Sequence, residues 1–156
     1  MAEQTQMPEV VFNIEKVYVK DLSFESPGAP AMFFDQSSGP PQVDIRLDVE
    51  HALVSEGLYE VVLAVTATTK VQDKTLFLVE AHQAGLFHVK GVAAEDLPKI
   101  LQITCPGILL PFARETLHDM VAKGGYPQFL INPVNFEALY FQQKEAASRS
   151  QQPGPG

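Results

Sequence analysis

Between Val43 and Glu50 the chain alternates without a break: Val43, Ile45, Leu47 and Val49 are apolar, and Asp44, Arg46, Asp48 and Glu50 are charged. A two-residue period is that of a strand with one buried and one wet face. Ser55-Glu56-Gly57 then turns the chain into a second run, Leu58 to Val71, which places Tyr59, Val61, Leu63 and Val65 on one side. Gln72-Asp73-Lys74 makes another turn, and Thr75 to Val89 follows with Phe77, Val79 and Ala81 inward and Glu80 and His82 outward. Upstream, Val10 to Phe24 also reads as a strand, but a less regular one. Phe12, Ile14 and Tyr18 share one parity, and Val11, Val17 and Val19 share the other. Apolar groups of both parities predict a strand covered on both sides, and a second subunit is one way to cover the outer one. Four strands joined largely by short turns predict an antiparallel meander.

The period then changes. Ile108, Leu109, Phe112, Leu117, Met120 and Val121 fall at helical spacing. The helix ends near Lys123, starts at Pro98 or Pro106, and carries Pro111, which is expected to kink it or limit its start. Gly124 is the expected left-handed stop. Phe129 to Pro133 reads as an extended link, and Asn135 as the N-cap of a last helix bearing Phe136, Leu139, Tyr140 and Phe141. The expected fold class is therefore α+β, a four-stranded antiparallel sheet followed by two helices. Its organisation is a flexible stretch over residues 1–9, one folded unit over 10–143, and a disordered tail over 144–156.

One connection stands apart. Glu25 to Pro41 is rich in Pro, Gly and Ser, which argues against regular structure, yet it holds Met32, Phe33 and Phe34. Those three either plug the loop onto the core or line an apolar binding surface.

Composition narrows the function. The net charge is −8 and the pI about 4.9, the wrong sign for a nucleic-acid face or an anionic membrane surface. A single cysteine, Cys105, allows no internal disulfide. Met1 to Gln6 has neither a cationic n-region nor an apolar h-region, and no apolar run reaches the roughly 20 residues of a membrane span, so a cytoplasmic protein is expected. No phosphate-cradling motif or metal-ligand spacing is present, and no cofactor is expected. His82 and His88 lie six residues apart on one strand, too far to share a metal, and read as surface histidines. Cys105 and His118 are too far apart on one helix to act as nucleophile and base. The carboxylates Asp21, Glu25 and Glu80 form either a solvated sheet face or an acidic patch for a basic partner.

Several segments carry a family likeness. Lys20-Asp21-Leu22-Ser23-Phe24-Glu25-Ser26-Pro27, Tyr59-Glu60-Val61-Val62-Leu63, Phe77-Leu78-Val79-Glu80, Cys105-Pro106-Gly107-Ile108-Leu109, Pro111-Phe112-Ala113-Arg114-Glu115 and Asn132-Pro133-Val134-Asn135-Phe136 resemble, in order, the SecB family of bacterial export chaperones. The likeness spans roughly Val10 to Gln142. It implies a dimer of dimers that holds unfolded precursor proteins without ATP and hands them to the motor SecA. By position, it implies a SecA-docking surface at Asp21, Glu25, Leu78 and Glu80. It implies a client groove at Met32, Phe33, Phe34, Phe136, Leu139 and Tyr140. It also implies subunit contacts through the first strand, with Val17 and Val19, and through the helix, with Ile108, Leu109, Phe112, Leu117, Met120 and Val121. The tail after Lys144 departs from many family members in not being acidic. Two other readings remain: a SecB-like chaperone dedicated to another client such as an antitoxin, and a small-molecule site in the Phe33–Tyr140 region.

Overall fold

The computed structural model describes residues 9–35 and 39–150; all but Glu9 of the flexible start expected over residues 1–9, Gln36–Ser38 of the long connection and the last six residues of the expected tail lie outside the described residues. Four strands form one antiparallel sheet: β1 (Val11–Glu25), β2 (Gln42–Ser55), β3 (Leu58–Val71) and β4 (Lys74–Lys90). Their order in the sheet is β1-β4-β3-β2, so β1 and β2 are the edges. Helices α1 (Leu97–Lys99), α2 (Cys105–Lys123) and α3 (Phe136–Ser150) follow, with a π-helical turn over Ile100–Thr104 joining α1 to α2.

The register of β1 explains its irregular pattern. Paired with β4, it slips once between Ile14 and Lys16 and again between Val19 and Asp21. Each β-bulge inserts a residue and reverses the parity that faces the core. Phe12 and Ile14, then Val17 and Val19, then Leu22 and Phe24 therefore all pair with inward residues of β4 (Val89 and Phe87, Gly85 and Gln83, Ala81 and Val79). The expectation of a strand apolar on both faces is corrected: two bulges keep most of one mixed-parity set on one face.

The core lies between this inner face and α2. Val61, Leu63, Val65 and Ala67 of β3 and Phe77, Val79, Ala81 and Phe87 of β4 meet Leu109, Ala113, Leu117 and Val121. Close approach depends on Gly85, where a Cβ would lie 2.7 Å from a Phe87 ring carbon and 3.1 Å from Leu109 Cδ2. Buried Gln83 is satisfied on both sides: its amide donates to the Tyr18 carbonyl at 3.2 Å, and it accepts from the Thr116 hydroxyl of α2 at 3.0 Å. Edge strand, inner strand and helix are thereby tied in one line.

Several local expectations shift. The helical path starts at Leu97 with Pro98 in its first turn, so Pro111 does not limit the start and sits inside α2. Pro106 has no N–H to give the Gln102 carbonyl, and the wider turn just before it, where the Cys105 N–H reaches the Ile100 carbonyl, absorbs that loss. Gly124 stays right-handed at φ −74°; the left-handed residue is Gly125 at φ +86°. Within the Pro- and Gly-rich connection, Ala31–Phe33 forms a short 3-10 turn. Asn135 caps α3 as expected, accepting the Ala138 N–H at 3.0 Å. However, α3 runs to Ser150, beyond the expected end of the folded unit at 143, because Glu145, Ala146 and Ala147 are good helix formers.

Leu109 is fully buried against Gly85 and β3. Leu109→Ala is expected to cost about 2–5 kcal/mol of unfolding free energy, and the volume-conserving Leu109→Met less than about 1.5 kcal/mol. Urea denaturation of both variants checks the difference.

Candidate functional site

Residues directly opposite each other on paired strands project from the same face. Asp21 pairs with His82, Ser23 with Glu80 and Glu25 with Leu78. Because Val79 and Ala81 point into the core, Leu78, Glu80 and His82 point out, and β1 adds Asp21 and Glu25 beside them. The four residues implied for docking thus share one patch of the outer sheet face. The second bulge makes this possible: with unbroken parity, Asp21 would turn inward with Val17 and Val19.

The pairing continues across the sheet. Glu80 lies opposite Thr66, and Thr66 opposite Arg46; His82 lies opposite Ala64, and Ala64 opposite Asp48. Small side chains on β3 leave a shallow depression of about 340 Å³ whose rim includes Asp48, Glu50, Glu80 and His82. His82, read from sequence as a plain surface histidine, has its Nε2 2.8 Å from Glu80 Oε1. Arg46 is held by Asp44 at 3.5 Å.

The same face carries a cluster that sequence reasoning missed. Tyr18 donates its hydroxyl hydrogen to Glu60, and Lys20 Nζ lies 2.6 Å from the other Glu60 oxygen. Tyr18 and Lys20 sit on β1, two strands from Glu60, and reach it over the small Ala84 of β4. The hydrogen bond from Lys20, then that from Tyr18, holds the Glu60 carboxyl below its ordinary 4.5. Burial first, and the Glu60 carboxylate second, push the Tyr18 phenol up from 10.0 to about 12. No single-strand period could reveal this cluster, since it exists only through the β1–β4–β3 register.

On the inner side, the residues implied for a client groove separate. Phe136 is buried in the core, and Met32 packs against the core; these two leave little or only part of their side chains to a ligand, which corrects their placement as open groove walls. Phe33 and Phe34 remain exposed, with the Phe33 ring 5.3 Å from Tyr126. Tyr126 pins the aromatic loop through Ser26 Oγ at 2.5 Å and the Leu76 carbonyl at 3.3 Å. Tyr140 is half-buried, its ring 5.3 Å from that of Phe141. Leu139 alone of the six lines an open apolar depression of about 420 Å³ between β2 and α3, together with Ile45, Leu47, Leu130, Pro133 and Val134. Leu130 is 85% exposed there, and its signal in the sequence was an apolar pair, Leu130-Ile131, inside an extended link.

The residues implied for subunit contact also divide. Leu109, Leu117 and Val121 are fully buried within their own chain and leave no side-chain surface for a partner. The family likeness that implies these contacts marks a whole helical stripe and does not say which of its members turn to their own sheet. Val19 and Phe112 are exposed; Val17, Ile108 and Met120 are half-buried. Cys105 is buried, and that burial pushes its thiol up to about 12, which removes it as a nucleophile.

A family model described as preprotein translocase subunit SecB matches residues 3–147. The protein-export protein SecB of Methylobacillus flagellatus is 52% identical over 149 residues, covering 96% of this chain and 92% of that protein. The protein of the same name from Methylococcus capsulatus is 45% identical over 153 residues, covering 98% and 97%. Among solved structures, a SecB-like chaperone of Mycobacterium tuberculosis in complex with an antitoxin peptide aligns with TM-score 0.65 at 16% identity, covering 79% of this chain and 90% of that one.

The signs of the two pKa shifts set a pH profile. Folded Glu60 binds its proton less readily than the unfolded group, so its contribution is present above pH 4.5 and lost as pH falls through the lowered value. Folded Tyr18 holds its proton more tightly, so its contribution is present below pH 10.0 and lost toward about 12. The stability gap between the native chain and Glu60→Gln should stay level from about pH 6 to 9 and close on acidification. Urea unfolding at stepped pH measures it; a gap that persists in strong acid contradicts the clamp.

Proposed function

The chain belongs to the SecB family, and from that premise we propose that its two sheet faces divide the work of a protein-export chaperone. As a SecB-family chaperone it is a binding protein rather than an enzyme, and its ligands are unfolded precursor proteins. Relatives at 45–52% identity are named for protein export, whereas the likeness to the antitoxin-bound chaperone is confined to the fold. The export reading is therefore favoured over a dedicated antitoxin client.

The observation that carries this division of work is the gathering of Asp21, Glu25, Leu78 and Glu80 on one outward patch by the β1–β4 register. Carboxylates around an apolar Leu78 suit a basic segment of SecA, with charge giving steering and the leucine giving contact area. On the opposite side, Leu139 and Leu130, with the exposed rings of Phe33 and Phe34, offer apolar surface to an unfolded chain. Shallow, open apolar sites select for hydrophobicity more than sequence, which suits many clients. Assembly as a dimer of dimers in the cytoplasm completes the reading, since repeated weak sites along one client raise avidity without a strong single contact.

Asp21→Arg and Glu80→Arg should each weaken SecA binding by about tenfold or more in low salt, while retention of a slowly folding precursor stays within about twofold. Titration calorimetry with SecA and size exclusion with the unfolded precursor check the two sides. Parallel loss of both would show that the faces do not act separately. A wild-type chain that ignores the unfolded precursor would sink the chaperone reading itself.

A further inference from the structure

Within the acidic outer patch stands one side chain of a kind that ordinarily changes charge between about pH 5 and 8, His82. The strand register fixes its neighbours. Asp21 of β1 lies directly opposite, which sets their Cβ atoms about 5 Å apart. Glu80 sits two residues away on the same face of β4, with its Oε1 2.8 Å from His82 Nε2. On the other side Ala64 of β3 is too small to intervene, and Asp48 and Glu50 of β2 border the same shallow depression. The cations of the flanking strands are engaged already: Lys20 of β1 by Glu60 of β3 at 2.6 Å, and Arg46 of β2 by Asp44 at 3.5 Å.

A carboxylate accepts and does not donate, so Nε2 carries the hydrogen in the contact between His82 and Glu80. A proton gained by the ring therefore goes to Nδ1. The bond to Glu80 is kept and becomes charge-assisted, and the fold does not have to move. What changes is the charge of the patch. Neutral His82 leaves Asp21, Glu80, Asp48 and Glu50 with no cation among them; protonated His82 places one there. With 34% and 45% of their side chains exposed, His82 and Glu80 are open both to solvent protons and to a docked chain.

We propose that His82 is a further residue of the docking site and tunes it to pH: neutral, it leaves the carboxylates to a basic partner, and protonated, it competes with that partner for them. Docking is then weaker on the acid side of neutrality. The coupling is reciprocal, so a basic segment that binds better to the neutral form expels the ring proton as it docks. Asp21 and Glu80 are where the competition is fought, because both contact the ring's surroundings directly and both belong to the patch. His82 acquires this role only through the acidic docking patch of the proposed function, whose regulation it supplies.

The test is titration calorimetry of SecA onto the full-length wild type and His82→Gln in low salt, at about pH 6 and about pH 8. Glutamine keeps a hydrogen-bond donor for Glu80 and carries no charge at either pH. Protons gained by SecA act on both proteins alike, so the ratio of the two affinities isolates His82. That ratio, variant over wild type, is expected to rise by about twofold to fivefold from the higher pH to the lower, the size of a surface-charge effect. Repeated at about pH 6.5 in buffers of different ionisation enthalpy, docking is expected to release more protons from the wild type than from His82→Gln. His88→Gln, six residues along the same strand and 3.9 Å from Glu15, should keep the wild-type pH profile. A ratio that does not change with pH overturns the proposal, and so does equal proton release by wild type and variant. The same shift in His88→Gln also overturns it, because the response would then belong to the general charge of the face. Binding at both pH values with an unchanged ratio removes only the role of His82 and leaves the docking patch standing. A wild type that binds SecA at neither pH removes the patch itself, and the role of His82 with it.

Discussion

A helix with its side chains is about 10 Å across, and four paired strands at about 4.8 Å spacing are nearly twice as wide. The chain places one long helix, α2, over this sheet, centred on β3 and β4. That mismatch of widths governs the rest. The inner faces of β3 and β4 are sealed into a core that includes Leu63, Val65, Val79 and Phe87, while both flanks stay partly uncovered. On the β2 flank, the link after α2 and the last helix cover Ile45 and Leu47 only in part and leave a shallow apolar depression. On the β1 flank, Val19 and Leu22 remain open beside the outer side of α2. Surface that an ordinary domain of this size would bury is here held in two places at the rim of the core, where other chains can reach it.

The outer face follows a different rule. Among the described residues no helix covers it, so it carries polar and charged groups, and the bulges in β1 add to them. By reversing parity at Glu15 and Lys20 they send Phe12, Val17, Leu22 and Phe24 to the core side and free Asp21 and Glu25 to join Glu80. Lys20, the inserted residue, turns to Glu60 and ties the bulge down. A bulge therefore does two jobs at once, saving the core and composing the surface.

This is why the sequence was legible in some places and silent in others. β3 and β4 alternate for many residues against one continuous core, so Val61, Leu63, Val65, Phe77, Val79 and Ala81 could be assigned to a face from period alone. β1 could not, because its parity changes twice and a bulge leaves no local mark in residue type. Leu109, Leu117 and Val121 were recognised as one helical stripe, but a stripe does not say whether it meets its own sheet or another subunit; Gly85, twenty-four residues upstream, makes the room that settles it. The docking residues rested on likeness to a family, and only the register shows that they share a patch. The groove residues likewise rest on likeness to a family: Phe136 anchors the core, whereas Leu130 and Ile45, exposed or half-exposed in place, are modest in sequence.

The proposed assignment puts client contacts and SecA contacts on opposite faces of one sheet, and β4 shows how short the distance between them is. Val79 and Ala81 face the core while Leu78, Glu80 and His82, their immediate neighbours, face outward. A strand cannot shift register without moving its whole set of side chains to the other face. Two sites on one sheet are thus mechanically fixed to each other through its core, yet chemically independent: one offers charge around a single leucine, the other apolar surface without charge. Mechanical linkage makes a relay through large rearrangement of the sheet costly, because Gln83 locks β1, β4 and α2 together beneath the patch. In the proposed reading, handover would then come from outside the fold, by competition for the client once a partner is docked close by.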